Sequence, residues 1–394
     1  MLSFDEALAR LIGSTAPLGE SEELPTAQAL GRVLMQDVVS LLDVPPADNS
    51  AMDGYAVRVA DIGQALPISQ RIPAGVVGTE LKPGTAARIF TGAQIPAGAD
   101  AVVMQEFCEL EGETIRVTAG VLSGQHVRLR GEDVQRGSTV LASGHKLDAA
   151  ALGMAAAVGA AKLKVAKRPR VALFSTGDEL VMPGEPLKPG SIYNSNRYML
   201  QGLLQGLGCE VVDLGIVPDK LDATRAALRE AASLADLIIT SGGVSVGEED
   251  HLRPAVQAEG SLDLWQIALK PGKPLAFGRV ANSYFVGLPG NPVSSFVTFL
   301  MLVRPVILRL QGATELTPRR YALRADFTWG KPDKRREFLR ARLNAHGGLD
   351  RYANQGSGVL TSAVWGDGLV DTPAGQTIAA GDTVQFLPFS ELLS

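Results

Sequence analysis

The chain of 394 residues carries 46% apolar and 20% charged side chains with 43 glycines and 23 prolines; that length favours roughly two to four domains, and that composition suits turn-rich β structure rather than a helical bundle. The formal net charge of −5 lacks the global basic balance of a nucleic-acid binder, so any anion site must be local. Two distant cysteines, Cys108 and Cys209, suggest neither a disulfide framework nor a cysteine metal site, and they read as ordinary thiols in a reducing cytoplasm.

The opening MLSFDEALARLIG places Asp5 and Glu6 where a secretory signal carries basic residues, and it predicts a capped helix. Ser3 and Glu6 have capping-box spacing, and Phe4, Leu8, Leu11 and Ile12 recur at helical period. Helical patterning is expected to give way at DVPPADNS, around 42–46, where two prolines and Asp, Asn and Ser force an extended or turning path. From there to about Asp133, short apolar runs punctuated by glycine (AVRVA, ARIF, ADAVVMQE, TIRVTAG) predict a small β-rich domain over 45–134. It reads as an insertion between residues 1–44 and 135–168, which are expected to pack together. The second of these segments carries β-like pieces and a small-residue helix. That tract, 149–161, and the run 296–303 are membrane-like in composition, but both are too short to span a bilayer.

From Arg170, over 169–315, strand and helix alternate: VALFS, NSNRYMLQGLLQGLG, VVDLGIV, ATRAALREAASLA, DLIIT. Such alternation implies a parallel sheet with crossover helices on its faces. The helix after VALFS buries Met199, Leu200, Leu203, Leu204 and Leu207 and stops at Gly208. Ligands of open sheets sit beyond the carboxyl ends of the strands. STGDEL, VPD, SGGVSVGEED and PGNPVS all fall there, so these loops converge on one rim. The last segment, 316–394, returns to short alternating runs and predicts a small β-barrel or sandwich.

In SGGVSVGEED, Gly242, Gly243 and Gly247 permit positive φ and leave backbone N–H groups open to phosphate oxygens, with Ser241 and Ser245 as hydroxyl donors. A plain strand-to-helix turn is the alternative. Glu248, Glu249 and Asp250 would repel a phosphate unless a divalent cation lay between. An acid-rich helix start explains those three, but not Asp178, Glu179 and Asp219 on neighbouring loops. Asn291 and Pro292 fit an N-cap and first helical position, placing Ser294 among N–H groups that favour an anion. LKPGKP makes a rigid cationic turn of Lys270 and Lys273, and period-2 alternation puts Arg336, Arg340 and Arg342 on one strand face. A phosphorylated ligand and a metal are implied. The histidines at 126, 145, 251 and 346 lack ligand spacing, and no G-x-S-x-G or H-E-x-x-H pattern occurs.

DNSAMDGYA at 48–56, IFTGAQIP at 89–96, RGEDV at 130–134, FSTGDEL at 174–180, SGGVSVGEED, LKPGKP and GLPGNPVS at 287–294, in this order, resemble the molybdopterin molybdenumtransferase family of MoeA-type enzymes, related to the E domain of gephyrin. The resemblance spans essentially the whole chain. It implies an elongated linker and dimerisation domain (1–44 with 135–168), an inserted small β domain, an α/β molybdopterin-binding domain with a parallel sheet, and a C-terminal β-barrel. The implied reaction inserts molybdate into adenylylated molybdopterin with Mg2+-dependent release of AMP. The implied partners are a second copy of the chain, the molybdopterin adenylyltransferase and molybdoenzyme-maturation proteins, with neither nucleic acid nor membrane. Position by position, it gives Asp53, Asp133, Glu179, Asp219 and Asp250 catalytic roles, with Glu179, Asp219 and Asp250 handling Mg2+. Thr91, Ser175, Thr176, Gly177, Asn196, Ser241, Gly242, Gly243, Ser245, Pro289, Gly290 and Asn291 match substrate positions. Lys270, Lys273, Ser294, Arg340 and Ser357 match the oxyanion site, and a tetrahedral dianion suits such donors. Two positions depart from the family pattern: Asn194 and Lys220 stand where aspartates are common. A gephyrin-like scaffold and adenylyl transfer to molybdopterin are the alternative functions.

Overall fold

The alternating runs after Arg170 build a six-stranded sheet in the order Glu210–Val217, Arg170–Thr176, Leu237–Ser241, Ser283–Leu288, Pro274–Val280, Gly260–Gln266. The computed structural model describes residues 1–243 and 251–393. The first four strands are mutually parallel, and the last two join antiparallel. The expectation of a parallel sheet therefore holds for four of its six strands, from the Glu210–Val217 edge inward. Between Val280 and Ser283 lie just Ala281 and Asn282, with Ala281 at φ 48°. A two-residue turn reverses the chain, whereas a parallel return needs a crossover.

Both faces of this sheet are covered, which is why its central strands read as unbroken apolar runs. On one face Val171, Leu173, Leu237 and Ile239 pack against Leu200, Leu203 and Leu204 of the helix Ser195–Gly206 and against Phe296 and Leu300. On the other, Ala172, Phe174 and Ile238 meet Ala227, Leu228 and Ala231 of the helix Leu221–Leu234, together with Leu252, Ala255 and Val256. Gly208, at φ +77°, follows the first of these helices as its predicted stop.

The apolar run around 296–303 is longer than its sequence suggests. Pro292–Thr298, a π-helical turn Phe299–Val303 and Arg304–Leu310 form 19 helical residues, long and apolar enough to cross a membrane but 94% buried inside the fold. This is the core helix of the α/β domain. Pro305 lacks an N–H for the preceding turn, and a π turn is one way a helix accommodates such a gap.

At the N-terminus the capping box forms: Ser3 Oγ accepts from the Glu6 N–H at 3.2 Å, and the Glu6 carboxylate accepts from the Ser3 N–H at 2.8 Å. Helix Phe4–Gly13 buries Phe4, Ala7 and Leu11 in the α/β core. Helical patterning ends at Gly13 rather than near residue 42. Beyond it the chain is mostly extended, with Ser21–Pro25 pairing antiparallel to Lys162–Ala166 and Val38–Val39 to Thr139–Leu141. Residues 29–38 and 134–165 share one core of Ala29, Leu34, Leu147, Ala155, Leu163 and Val165.

Between these segments lies a separate six-stranded sheet, ordered Ala101–Met104, Gly54–Val57, Ala86–Ile89, Ala65–Ile72, Thr114–Val117, Cys108–Glu111. Its entry and exit are tied together. The Arg130 side chain donates to Asp43 at 2.6 Å, its N–H donates to Asp48 at 2.7 Å, and Val44 bridges Val134.

In the C-terminal domain Arg336–Leu343, Gly368–Thr372, Thr383–Pro388 and Tyr321–Arg324 pair in that order. Leu349–Arg351 pairs back onto Arg336–Leu343, and the Ala325–Leu349 bridge closes the path into a barrel around Leu339, Val370 and Phe386. A short strand from the α/β domain, Leu269–Lys270, adds to this sheet in parallel, with Leu269 opposite Arg336 and Lys270 opposite Glu337. The cationic loop is thus held by both domains.

Candidate functional site

The strand-end loops converge as expected, and residues 335 and 355–357 of the C-terminal domain close over them, enclosing a cavity of about 780 Å³. One wall is the turn after Leu237–Ser241. Gly242 has φ +92°, and a Cβ there would lie 2.8 Å from the Thr176 carbonyl oxygen, while a Cβ on Gly290 would lie in ordinary contact, 3.8 Å from the Gly242 Cα. Only glycine fits this crossing of three loops. The Gly242 N–H donates to the Leu288 carbonyl at 3.1 Å, so Gly242 supplies close approach rather than the free donor expected of it. Ser241, Gly243, Thr176, Gly177, Pro289, Gly290 and Asn291 also line the cavity. Ser175 lies behind the wall, fully buried, with its hydroxyl 3.3 Å from that of Ser241. Ser245 and Asp250 lie outside the described residues.

Asn194 and Asn196 begin the helix Ser195–Gly206, and both reach the cavity. Asn194 Oδ1 accepts from the Arg197 N–H at 3.2 Å, leaving its Nδ2 buried without a partner. Asn196 donates to the Gly290 carbonyl at 2.8 Å and leaves its Oδ1 buried and unpartnered. Buried polar atoms without partners are uncommon, and on a cavity wall they suit a polar ligand.

Glu179 and Asp219 bring carboxylates to the same cavity, and the Asp219 N–H donates to Asp178 at 3.2 Å. No group of three His, Cys, Asp or Glu side chains able to hold a metal occurs among the described residues. Two carboxylates nevertheless fit a hard divalent cation that completes its shell with phosphate and water oxygens.

Another part of the lining is cationic. Lys270 Nζ lies 2.9 Å from Glu337 and 3.2 Å from Asp333, while Lys273 is exposed on the cavity. Ser294, in the first turn after Asn291, and Ser357 line the cavity with them. The Val293 N–H donates to the Ser357 carbonyl at 2.9 Å, tying the C-terminal loop to the helix start; the Asn291 side chain makes no capping bond. Arg340 does not line the cavity. It is fully buried, donating to Ser362 Oγ at 3.0 Å and to the Phe338 and Gly356 carbonyls at 3.1 and 3.3 Å. Burial pulls its pKa down to about 10. Its place is behind the 355–357 loop, which it supports. Arg336 pairs with Asp371 and Asp5, and Arg342 lies over Trp365. The guanidinium that does line the cavity is Arg335.

Residues 2–159 match the MoeA N-terminal region (domain I and II), 172–309 a probable molybdopterin binding domain, and 322–389 the MoeA C-terminal region (domain IV). The molybdopterin molybdenumtransferase of Haemophilus influenzae is 40% identical over the whole of both chains. The chain belongs to the molybdopterin molybdenumtransferase family. Molybdopterin molybdenumtransferase 2 of Mycobacterium tuberculosis is also 40% identical, over 92% of this chain and 93% of its own. The crystal structure of a molybdopterin biosynthesis moeA protein from Pyrococcus horikoshii OT3 superposes with a TM-score of 0.85 at 30% identity, covering 98% of this chain and 100% of that one.

Three residues that the family resemblance places in the site, Asp53, Thr91 and Asp133, are on the inserted domain or its exit and do not line this cavity. Asp53 accepts from both the N–H and the hydroxyl of Thr91 at 2.8 Å. The Thr91 backbone bond, then its hydroxyl, lowers the Asp53 pKa. The pairing is therefore present at neutral pH and is lost only as pH falls through that lowered value.

Neither thiol takes part. Cys209 is buried and its pKa is pushed up to about 12, while burial raises Cys108 to about 11. Their thiolates form only as pH rises through those values. Iodoacetamide labelling of the folded protein at pH 8 is expected to be about 100-fold slower than of a free cysteine, since only the thiolate reacts. Rapid labelling of either residue, read by mass spectrometry, would contradict that burial.

Proposed function

We propose that this member of the molybdopterin molybdenumtransferase family inserts molybdate into the dithiolene of adenylylated molybdopterin, with Mg2+-dependent release of AMP. The observation that carries the reading is one cavity lined by two unlike groups, the carboxylates Glu179 and Asp219 with the Gly242–Gly243 turn, and the donors Lys270, Lys273, Ser294 and Ser357. A phosphoanhydride with its cation suits the first group, and a small tetrahedral dianion the second. The glycine turn and the orphaned Asn194 and Asn196 atoms give the nucleotide's polar edges close approach and partners. Glu179 and Asp219 would hold Mg2+, which when bound offsets charge on the breaking phosphoanhydride. Lys273 and the serine hydroxyls would orient molybdate toward the dithiolene. Asp53, Thr91 and Asp133 would complete the site from a second copy of the chain, in a homodimer working in the cytoplasm beside the adenylyltransferase and maturation proteins.

The test is incubation with adenylylated molybdopterin, molybdate and Mg2+, following AMP. Molybdate-stimulated release is expected; its absence from folded, dimeric protein would remove the proposal. Asp219→Asn and Glu179→Gln should each lower the rate by about tenfold to thirtyfold at saturating Mg2+ with little change in melting temperature, the effect of weakening one ligand of a shared cation. Adenylyl transfer, the runner-up, would instead show ATP consumption with free molybdopterin.

A further inference from the structure

We propose that Arg88 is a positioning residue for Asp53, fixing the carboxylate that the inserted domain carries. This deepens the reading above, in which Asp53 acts in the reaction, and rests on it.

Strand pairing sets the parts side by side. In the inserted sheet Ala86–Ile89 lies between Gly54–Val57 and Ala65–Ile72, with Arg88 opposite Tyr55 on one side and Arg71 on the other. Phe90 follows Arg88 by two positions, the period of one strand face. The guanidinium carbon of Arg88 lies 5.1 Å from the centre of the Tyr55 ring and 4.7 Å from that of Phe90. A planar cation held against two rings has little freedom, and the ring faces favour its charge.

The same guanidinium reaches the backbone around Asp53. Its Nη1 donates to the Gly54 carbonyl at 3.0 Å and its Nη2 to Gln105 Oε1 at 2.7 Å. Gln105 in turn donates its backbone N–H to the Asp53 carbonyl at 3.2 Å. That backbone has no slack, because a Cβ on Gly54 would collide with the Val103 carbonyl oxygen. From the other direction Phe90 leads directly into Thr91, whose N–H and hydroxyl both donate to Asp53 Oδ1. Arg88 thus holds both halves of the pair, the aspartate through Gly54 and Gln105 and the threonine through Phe90. Asp53 Oδ2 makes no hydrogen bond among the described residues, so one oxygen is fixed and the other is left for a ligand.

Charge points the same way. Arg88 forms no ion pair among the described residues; its hydrogen bonds go to a carbonyl and an amide, and Arg71, 4.8 Å from the same Phe90 ring, is a second cation. After the two Thr91 bonds, the charge of Arg88 also holds the Asp53 carboxyl below its ordinary value. An aspartate that is ionised and already oriented meets its ligand without reorganising.

The variants Arg88→Gln and Arg88→Lys, each alone and combined with Asp53→Asn, test the role. With AMP release as the readout, Arg88→Gln is expected to lower the maximal rate about tenfold while half-saturating molybdate stays within about twofold, because Asp53 is displaced rather than removed. Arg88→Lys keeps the charge but not the planar fork, and should fall by about threefold. Added to Asp53→Asn, Arg88→Gln should lower the rate by less than about twofold further, since a residue acting through Asp53 then has nothing left to position. If Arg88→Gln does not fold, Arg88→Lys carries the same comparison. Equal losses in both backgrounds would overturn the inference, as would an unmodified rate in Arg88→Gln. Should the unmodified protein show no molybdate-stimulated release, the functional reading fails by itself. Hydrogen exchange of the full chain then decides the inference. The Thr91 amide should exchange about tenfold faster in Arg88→Gln, while strand Thr114–Val117, two strands away in the same sheet, keeps its rate. An unchanged Thr91 amide would overturn the inference, and so would equal acceleration in both places, which marks a structural defect.

Discussion

Gly242→Ala is expected to lower AMP release by about 100-fold or more while leaving a folded protein, because it displaces loops that bind substrate without opening the core. At φ +92° an alanine is strained, and its Cβ would sit 2.8 Å from the Thr176 carbonyl oxygen. The strain costs about 1–3 kcal/mol. Relief requires the Thr176–Gly177 backbone to retreat, and a Cβ at Gly177 would itself meet the Glu179 carboxylate at 2.5 Å. Any retreat therefore moves Glu179, one of the two carboxylates of the cavity. Thr176 and Ser241 sit at the ends of adjacent strands with Ser175 opposite Ser241, so the sheet below is already fixed and the shift is confined to the rim. Ser241→Ala provides the contrast: it removes a buried hydroxyl without adding an atom at the crossing, and should cost less than about tenfold. Wild-type turnover by Gly242→Ala would show that the three loops have room to spare, contrary to the packing described.

Much of this rim was legible in advance, for a physical reason. Strand and helix periods alternate visibly from Arg170 onward, and loops at the carboxyl ends of parallel strands must share one side of the sheet. Knowing VALFS, DLIIT and YFVGL as strands was enough to bring Glu179, Ser241, Gly242 and Asn291 together. Direction was not legible for AFG, because a buried apolar run looks the same in a parallel or antiparallel strand. The length of the core helix was hidden by Pro305, which reads as a stop but is carried through a π turn.

The arginines illustrate a different limit. Period-2 alternation correctly placed Arg336, Arg340 and Arg342 on a strand, yet a shared face says nothing about which side chains reach a cavity made by another domain. Arg340 runs into its own barrel wall and supports the 355–357 loop from behind. Arg335 stands at the entry of the strand. A local signal did exist: Asp333 two residues before Arg335, a spacing at which carboxylate and guanidinium can pair before the strand begins. That Leu269–Lys270 joins the C-terminal sheet had no signal at all, since pairing between residues 67 positions apart depends on the packed fold.

Because of that pairing, Lys270→Ala is expected to do two separable kinds of damage. Removing the ammonium leaves Glu337, 3% exposed, with Trp329 Nε1 as its remaining side-chain hydrogen-bond donor among the described residues. Stripping one member from a buried ion pair costs on the order of 3 kcal/mol. The same substitution removes a cation from the cavity lining, so half-saturating molybdate should rise by about tenfold or more as well. The two effects part company in the double variant Lys270→Ala with Glu337→Gln. A neutral amide at 337 still accepts from Trp329 but no longer needs a counter-charge, so denaturant unfolding should recover most of the lost stability. The molybdate response should not recover, because the missing donor is still missing. Full restoration of both would mean that Lys270 serves the fold alone, and that Lys273 and the serine hydroxyls receive the oxyanion without it.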